Sequence, residues 1–357
     1  SQSPYQETNA NIVMNAFKGV TQVLNEYDAN LKTLMEQTKN DLSVAVEDIN
    51  TKLDQLSELN SSIAHEIFSN NDYDGVNYGP NDLLDQRNVI LDDLSRYGDV
   101  QVTDLEDGKI QVKINGKVVV DASGASYTND KLNIGSDGVT LTWNSNNQNA
   151  NLGAGAIRGF TDMLTGADPI NAGIPYYQNK MDNFAQTLAD VFNNKIHADD
   201  PDFPDKYKFL LQGGVDGKVT AGNISISDQW ADDVSYIIRK QNPDGELDNQ
   251  DILDMKAAFE QDFNFGGEYT GTFSEFITSV TNTLGSGIKT NSARMSASLA
   301  IAESADSERM GVSGVSLNEE GISMMTYNKA YQALGRLMTT MDEQLDMIIN
   351  KMGIVGR

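Results

Sequence analysis

Residues 324–355 read MMTYNKAYQALGRLMTTMDEQLDMIINKMGIV. Apolar side chains recur in this stretch at alternating steps of three and four, which is the spacing of a coiled-coil seam on an α-helix. The seam consists of Met324, Tyr327, Tyr331, Leu334, Met338, Met341, Leu345, Ile348, Met352 and Val355. At 1.5 Å per residue, the pattern predicts a helix of about 45 Å near the C-terminus.

The composition around this seam indicates contact with other molecules. Residues 322–357 carry four basic and three acidic side chains and six of the 13 methionines, and methionine suits adaptable apolar contacts. A long exposed apolar stripe lowers solubility unless a partner covers it. Two interpretations stay open: the helix packs on the N-terminal helices as core, or it assembles with other subunits.

The N-terminal region repeats the helical pattern. Apolar residues recur from Phe17 to Ile67 at steps of three and four, and polar Thr38 and Asn60 occupy two of the seam positions. Prolines are absent from long stretches at both ends of the chain, so long helices can form there. Turn-forming residues from Asn70 onward end the first helix, and a second helix is predicted between Asn81 and Gly98.

The middle of the chain changes to a strand-like period of two. Apolar residues alternate from Val100 onward and are separated by Asp107-Gly108, Asn115-Gly116 and Asp137-Gly138, dipeptides that favour tight hairpins. We therefore predict a small antiparallel β domain over residues 99–155. A helix from Pro175 to His197, a strand-rich passage over 206–240, a helix over 246–263 and a helical run from near Ser274 follow.

Together these patterns predict an α+β fold, in which a long helical bundle or coiled-coil rod, built from both chain ends, carries small inserted antiparallel β domains. The predicted segments are 1–98, a helical hairpin-like part of the rod; 99–155, the first β domain; 156–200, a helix returning to the rod; 201–245, a second β-rich segment; 246–321, a helical rod segment; and 322–357, the assembly helix.

Charge and cysteine content exclude several classes of function. The 357 residues include 26 basic and 52 acidic side chains, a net charge of −26, which disfavours nucleic acid and anionic membrane as partners. The chain has no cysteine, so disulfides, thiolate nucleophiles and Cys-ligated zinc are excluded. No stretch approaches the roughly 18 apolar residues of a membrane span, and the first residues lack the pattern of a secretory signal.

Candidate catalytic and ligand-binding residues are few. We expect His65 to lie on the surface and His197 to cap a helix. The glycines of Gly153–Gly159 superficially resemble a dinucleotide loop, but the third glycine comes one residue late. Two carboxylate clusters could hold calcium, although solvated acidic loops are commoner; they are Asp199, Asp200, Asp202 and Asp205, and Asp244, Glu246, Asp248 and Asp251. We predict no enzyme activity and no cofactor.

Several stretches resemble known proteins. The runs Gly314–Glu320, Tyr327–Ala333, Met338–Asp342 and Met352–Arg357 resemble the C-terminus of bacterial flagellar axial proteins. Residues Asn81, Asp82, Leu83, Leu84, Asp85, Gln86 and Arg87, followed by Asn88, are similar to a signature of the FlgK family of hook-associated proteins. Asn223–Trp230 and Thr270–Phe273 resemble further stretches of that family.

The resemblance implies a structural subunit that joins the flagellar hook to the filament through its terminal helices. It further implies secretion by the flagellar type III pathway. The implied partners are other copies of the chain in a ring, the hook protein, the next hook-associated junction protein and a cytoplasmic export chaperone. Family members begin with a terminal helical segment that would precede Ser1, so we expect this chain to be a fragment.

Alternatives to this interpretation remain. A secreted binding module, such as an adhesin, would use the 99–155 β domain to engage a glycan or a host protein, and a metal-dependent hydrolase is a third possibility. Within the signature run, Leu83 and Leu84 are expected to make core contacts. An ion pair between Asp85 and Arg87 could fix the helix, although an exposed pair contributes at most about 1 kcal/mol.

Overall fold

The computed structural model describes residues 4–69, 80–122, 128–196, 209–214, 217–238, 250–314 and 316–346. The chain divides into two compact units, Ser1–Gly285 and Ser286–Arg357. The α-helices in the described residues are α1 Pro4–Ser69, α2 Asn81–Ser95, α3 Gly155–Thr165, α4 Ile174–Asn193, α5 Asp228–Asp232, α6 Gln250–Ala258, α7 Phe273–Ser313 and α8 Leu317–Asp346. These long helices, together with several small antiparallel sheets, confirm the predicted α+β fold class.

The strands form one four-stranded sheet and three two-stranded sheets. The bounds are β1 Val100–Asp104, β2 Ile110–Ile114, β3 Lys117–Asp121, β4 Thr128–Asn129, β5 Leu132–Ile134, β6 Leu141–Trp143, β7 Leu211–Gln212, β8 Ser225–Ile226, β9 Phe263–Phe265 and β10 Tyr269–Gly271. The larger sheet has the order β1-β2-β3-β4, and β5-β6, β7-β8 and β9-β10 pair separately, all antiparallel.

The hairpin turns lie where the sequence predicts them. Asp107 and Gly108 have positive φ between β1 and β2, and Asn115 and Gly116 have positive φ between β2 and β3. Positive φ at both central residues matches the right-handed twist of the flanking strands, and Asn, Asp and Gly adopt it most readily.

Two hydrophobic cores form along α1. Phe17 and Leu24 belong to the first core, with the buried face of α4, Trp230 and the start of α7. The second core contains the α1 residues Leu42, Ala45, Val46, Ile49, Leu53 and Leu56, with Leu94, strand residues and Ile157 of α3. These residues of the α1 seam are thus covered by sheets and helices of the same unit, whereas Val20, Tyr27 and Leu34 of the predicted seam are exposed.

Asparagine side chains attach the sheets to this helix. The amide of Asn60 donates to the Ile110 carbonyl over 2.9 Å and accepts from the Ile110 N–H over 3.0 Å. Asn50, ten residues earlier, makes the same pair of bonds to Leu132, both of 2.9 Å. Each asparagine therefore supplies the donor and the acceptor that a neighbouring strand would supply.

The passage predicted as strand-rich over 206–240 differs from expectation. In its described part it holds only the two-residue strands β7 and β8, followed by α5 and a 3₁₀ turn at Val234–Ile238. Ser227 begins α5 because its hydroxyl accepts the Trp230 N–H, which is a helix N-cap. Side-chain bonds from Asn25 to the Ala221 and Ile224 carbonyls take the place of a wider sheet.

The β5–β6 turn supports a prediction about pH. Asp137 accepts hydrogen bonds from the Thr140 hydroxyl and from the backbone N–H groups of Thr140 and Val139, and these bonds lower its pKa to about 2. Because the folded pKa is depressed, the stabilisation is present above the unfolded value near 3.8 and is lost as the pH falls through about 2. We expect an NMR titration of the Asp137 carboxyl to show this low midpoint.

The Thr140→Val variant is the control for this titration. It keeps both backbone donors and removes the hydroxyl donor, so the Asp137 midpoint should rise toward its ordinary value. An equal midpoint in both proteins would show that the hydroxyl bond does not stabilise the carboxylate.

Candidate assembly surface

The predicted seam lies on α8, and its described side chains are exposed. Met324, Tyr327, Tyr331, Leu334, Met338 and Met341 have exposed fractions from 51% at Met341 to 79% at Tyr331. Within Ser286–Arg357, therefore, α7 and α8 leave these six side chains accessible. Leu345 belongs to the helix, but its side chain, like Ile348, Met352 and Val355, lies outside the described part of the structure.

The exposed apolar surface of this unit is wider than the predicted seam. Leu317, Ile322, Met325 and Leu337 of α8 are also more than half exposed. On α7, Ile288, Met295, Leu299, Ile301 and Met310 are exposed as well. In the sequence, Ile288, Met295 and Leu299 follow one another at steps of seven and four, a helical spacing that could have indicated this second stripe. The small residues around them make the pattern hard to recognise.

The signature run forms the start of α2. Leu83 and Leu84 are half-buried, whereas Asn81, Asp82, Asp85 and Gln86 are exposed. The Arg87 Nη1 donates to the Gly108 carbonyl over 2.6 Å. Burial lowers the pKa of Arg87, and the charge of Asp104 opposes this shift. Arg87 therefore joins α2 to the tip of the β1–β2 hairpin rather than forming the suggested ion pair.

A polar cluster fixes the end of α2 to α1. The Tyr97 hydroxyl donates to Asp48 Oδ2 over 2.7 Å, and Lys52 Nζ lies 3.1 Å from Asp48 Oδ1 and 3.5 Å from Asp93 Oδ2. The bond to Asp48 raises the pKa of Tyr97. Burial acts to raise the pKa of Asp48, but the bonds from Tyr97 and Lys52 outweigh it and lower that pKa. The signature helix thus has a defined position on α1.

The other two family-like runs have structural roles. Trp230 is fully buried in the first core at the start of α5. At the start of α7, the Glu275 N–H donates to the Thr272 hydroxyl over 3.2 Å, and the Thr272 N–H donates to the Glu275 carboxylate over 3.0 Å. This reciprocal pair is a capping box, so both runs begin helices next to buried aromatic side chains.

The structure describes some of the candidate catalytic and metal-binding residues, but not all of them. His65 is exposed on α1, as predicted. His197 and both acidic clusters apart from Asp251 lie outside the described residues. Within the described ranges, no group of three His, Asp or Glu side chains could hold a metal ion. None of the described helices combines the length and the apolar character that a bilayer span requires.

The glycine run is explained by backbone packing. Gly155 has a φ of +77°, and a Cβ at this position would lie 2.3 Å from the Tyr97 carbonyl carbon. The chain that leaves α2 passes so close to the start of α3 that only glycine, which has no Cβ, fits at position 155. The suggested dinucleotide loop gains no support from this geometry.

Comparison with known proteins identifies the family. The family model for the flagellar hook-associated protein FlgK helical domain matches residues 1–205, and that for the flagellar basal body rod FlgEFG protein C-terminal matches residues 307–351. The flagellar hook-associated protein 1 of Bacillus subtilis (strain 168) is 25% identical over 393 aligned positions, covering 100% of this chain and 74% of the relative. The chain belongs to the FlgK family of flagellar hook-associated proteins, structural components of the bacterial flagellum.

Proposed function

We propose that the chain is a structural subunit that joins the flagellar hook to the filament and assembles through the helices at its ends. The observation that carries this proposal is the apolar seam of α8, whose six described residues remain exposed. Membership of a flagellar structural family supplies the context in which other subunits could cover that seam.

Burial of the seam provides the driving force. A fully covered large apolar side chain contributes roughly 1.5–3 kcal/mol, and part of that gain offsets the loss of freedom on association. Residues 322–357 are nearly neutral in a chain of net charge −26. Copies that meet at this segment therefore repel one another less than copies that meet at an acidic surface.

We assign one role to each of the segments predicted from the sequence. Residues 1–98, 156–200 and 246–321 form the helical rod, 99–155 and 201–245 supply the β parts, and 322–357 assembles. The bonds from Asn50 and Asn60 to strand backbones support a β domain that is fixed to the rod, in preference to an independent adhesin module.

The proposed partners are other copies of the chain in a ring, the hook protein and the next junction protein. Before assembly, an exposed apolar seam of this length favours aggregation unless another protein covers it. We therefore include a cytoplasmic export chaperone that covers the C-terminal helix, and secretion of the chain through the flagellar type III pathway.

We expect Leu334→Asp to abolish retention of the filament while leaving the fold unchanged. The side chain is exposed within Ser286–Arg357, so its replacement should change the free energy of unfolding of this unit by less than about 0.5 kcal/mol. In the assembled state the same carboxylate would be buried without a partner, which is strongly unfavourable. The measurement is complementation of a strain lacking the chain, scored by motility and by filament protein released into the medium.

Gln332→Asp is the matched control, since it adds the same charge to the same helix on a side turned away from the seam. It should restore motility. Full motility with Leu334→Asp, at equal expression, would show that the seam is not an assembly contact.

A further inference from the structure

The four-stranded sheet ends in a strand whose outer edge is not paired with any described residue of the chain. This strand is β1, which lies at the end of the order β1-β2-β3-β4 and pairs with β2 alone among the described strands. Its residues from Gln101 to Asp104 are all exposed. Proteins commonly protect such an edge with lysine, proline or a bulge. β1 contains neither residue, keeps a regular register with β2, and carries its one charge at the last position.

Asparagine side chains close strand edges elsewhere in the same unit. Asn50 bonds to both backbone groups of Leu132 in β5. Asn193 accepts the N–H of Leu211 in β7 and donates to its carbonyl, each over 2.9 Å. Among the described residues, no side chain makes such a pair of bonds to the outer edge of β1. This edge is therefore left open where others are closed.

The β1–β2 ladder defines which backbone groups of β1 are free. On one side of it, the Leu105 N–H donates to the Lys109 carbonyl over 2.8 Å. On the other side, the Asn115 N–H donates to the Asp99 carbonyl, also over 2.8 Å. Residues of an antiparallel pair alternate between bonding across the ladder and pointing away from it. The residues that point away are Val100, Val102 and Asp104.

Val102 also lies at the open border of the second core. Its partner on β2 is Val112, which is fully buried in that core, whereas Val102 is 45% exposed. Directly opposite residues of two paired strands share one face of the sheet, so Val102 lies on the core-facing side. A further strand beside β1 would cover this side chain and bond to the free backbone groups.

Only an extended segment can pair with the whole edge, because a helix uses its own N–H and C=O groups internally. The helices α7 and α8, which make up nearly all of the described part of Ser286–Arg357, therefore cannot supply it. A second β1 fits. When two copies run antiparallel with Val102 opposite its counterpart, Val100 of each lies opposite Asp104 of the other. Every outward N–H and C=O then has a partner, and no acidic side chain lies opposite another.

We propose that the edge of β1 is a self-association surface, to which β1 of a second copy adds as an antiparallel strand. The contact joins two four-stranded sheets about a two-fold axis at Val102. A two-fold contact cannot repeat around a ring in which all copies point the same way. The inference therefore goes beyond the proposed function, and the pair is a form of the subunit outside the assembled junction.

Disulfide trapping tests this pairing without background, because the chain has no cysteine. In full-length Val102→Cys, the two cysteines lie opposite each other, with Cα atoms about 5.5 Å apart, which is within the range of a disulfide. The control is Asp104→Cys, an exposed position on the same edge. Its two cysteines would be displaced by four residues, about 13 Å along the strands. We expect at least about tenfold more linked dimer from Val102→Cys.

A second variant, Val102→Pro, tests the backbone bonds. The Val102 N–H is not part of the β1–β2 ladder, and proline is tolerated on an edge strand where the N–H faces solvent, so circular dichroism should show an unchanged fold. Dimerisation is measured by sedimentation in the Leu334→Asp background, which removes contact through the seam of α8. We expect Val102→Pro to weaken the dimer at least about tenfold, because the central donor is lost.

Equal linked yields from the two cysteine variants, or equal dimer fractions with and without Val102→Pro, would overturn the proposal. A strand of another protein as the occupant would leave Val102→Cys unlinked and would overturn it too. With Leu334 intact, Val102→Pro should restore motility, since the pair is not part of the ring; a loss of motility would contradict this assignment. The proposed junction role does not depend on any of these dimer measurements, so the two can fail separately.

Discussion

We expect Asn60→Leu to detach the four-stranded sheet from α1 and to lower the free energy of unfolding by about 2–6 kcal/mol, since two buried backbone groups lose their partner at about 1–3 kcal/mol each. Asn60 is fully buried, and its amide satisfies both the N–H and the carbonyl of Ile110. Leucine has a similar volume but can form neither bond. The loss should therefore come from unsatisfied polar groups and not from a cavity.

The two tryptophans allow this loss to be assigned to one core. Trp143 lies in the second core and Trp230 in the first, so urea unfolding is followed by Trp143 fluorescence in a Trp230→Phe background. The Ile110 amide should also exchange with solvent faster in the Asn60→Leu protein. The control is Asn40→Leu at an exposed position of α1, which should change the stability by less than about 0.5 kcal/mol. Similar midpoints for both variants would contradict a structural role for the Asn60 bonds.

Asn60 also illustrates what the sequence could predict. Its place among the apolar residues of α1 was visible from the spacing alone, and so was the interruption of the seam by a polar group. Its partner was not visible, because Ile110 lies 50 residues away and nothing local specifies which backbone group an amide will meet. Hydrophobic period shows which face of a helix is buried but not what covers it.

The same distinction holds elsewhere in the fold. Asn115-Gly116 and Asp107-Gly108 gave correct hairpin turns because the left-handed conformation is a local property of those residues. The strand-rich prediction over 206–240 was less successful, since strands of two residues depend on bonds such as those of Asn25 to Ala221 and Ile224, which are distant in sequence. On α1, Val20, Tyr27 and Leu34 were predicted to share one seam with Phe17 and Leu24, but the structure leaves the first three exposed and buries the other two.

We expect Gly155→Ala to lower the free energy of unfolding by about 2–6 kcal/mol, because two separate penalties add. A φ of +77° is unfavourable for any residue with a Cβ and costs about 1–3 kcal/mol. The new methyl group would also lie 2.3 Å from the Tyr97 carbonyl carbon, and forcing the backbone apart costs about 1–3 kcal/mol more. Unfolding followed by Trp143 fluorescence is again the measurement, since Ile157 of α3 packs in the same core.

Gly159→Ala in the same glycine run is the matched control and should have the opposite sign. Gly159 lies inside α3, with nothing within 4 Å of an added Cβ, and alanine in a helix interior is favoured over glycine by about 0.5–1 kcal/mol. If the added methyl group destabilises the protein at position 155 and stabilises it at position 159, the glycine run is required for backbone packing at the first position and tolerates a side chain at the second. If both variants were equally stable, the close approach of α3 to the end of α2 would be wrong, and the glycines would need another explanation.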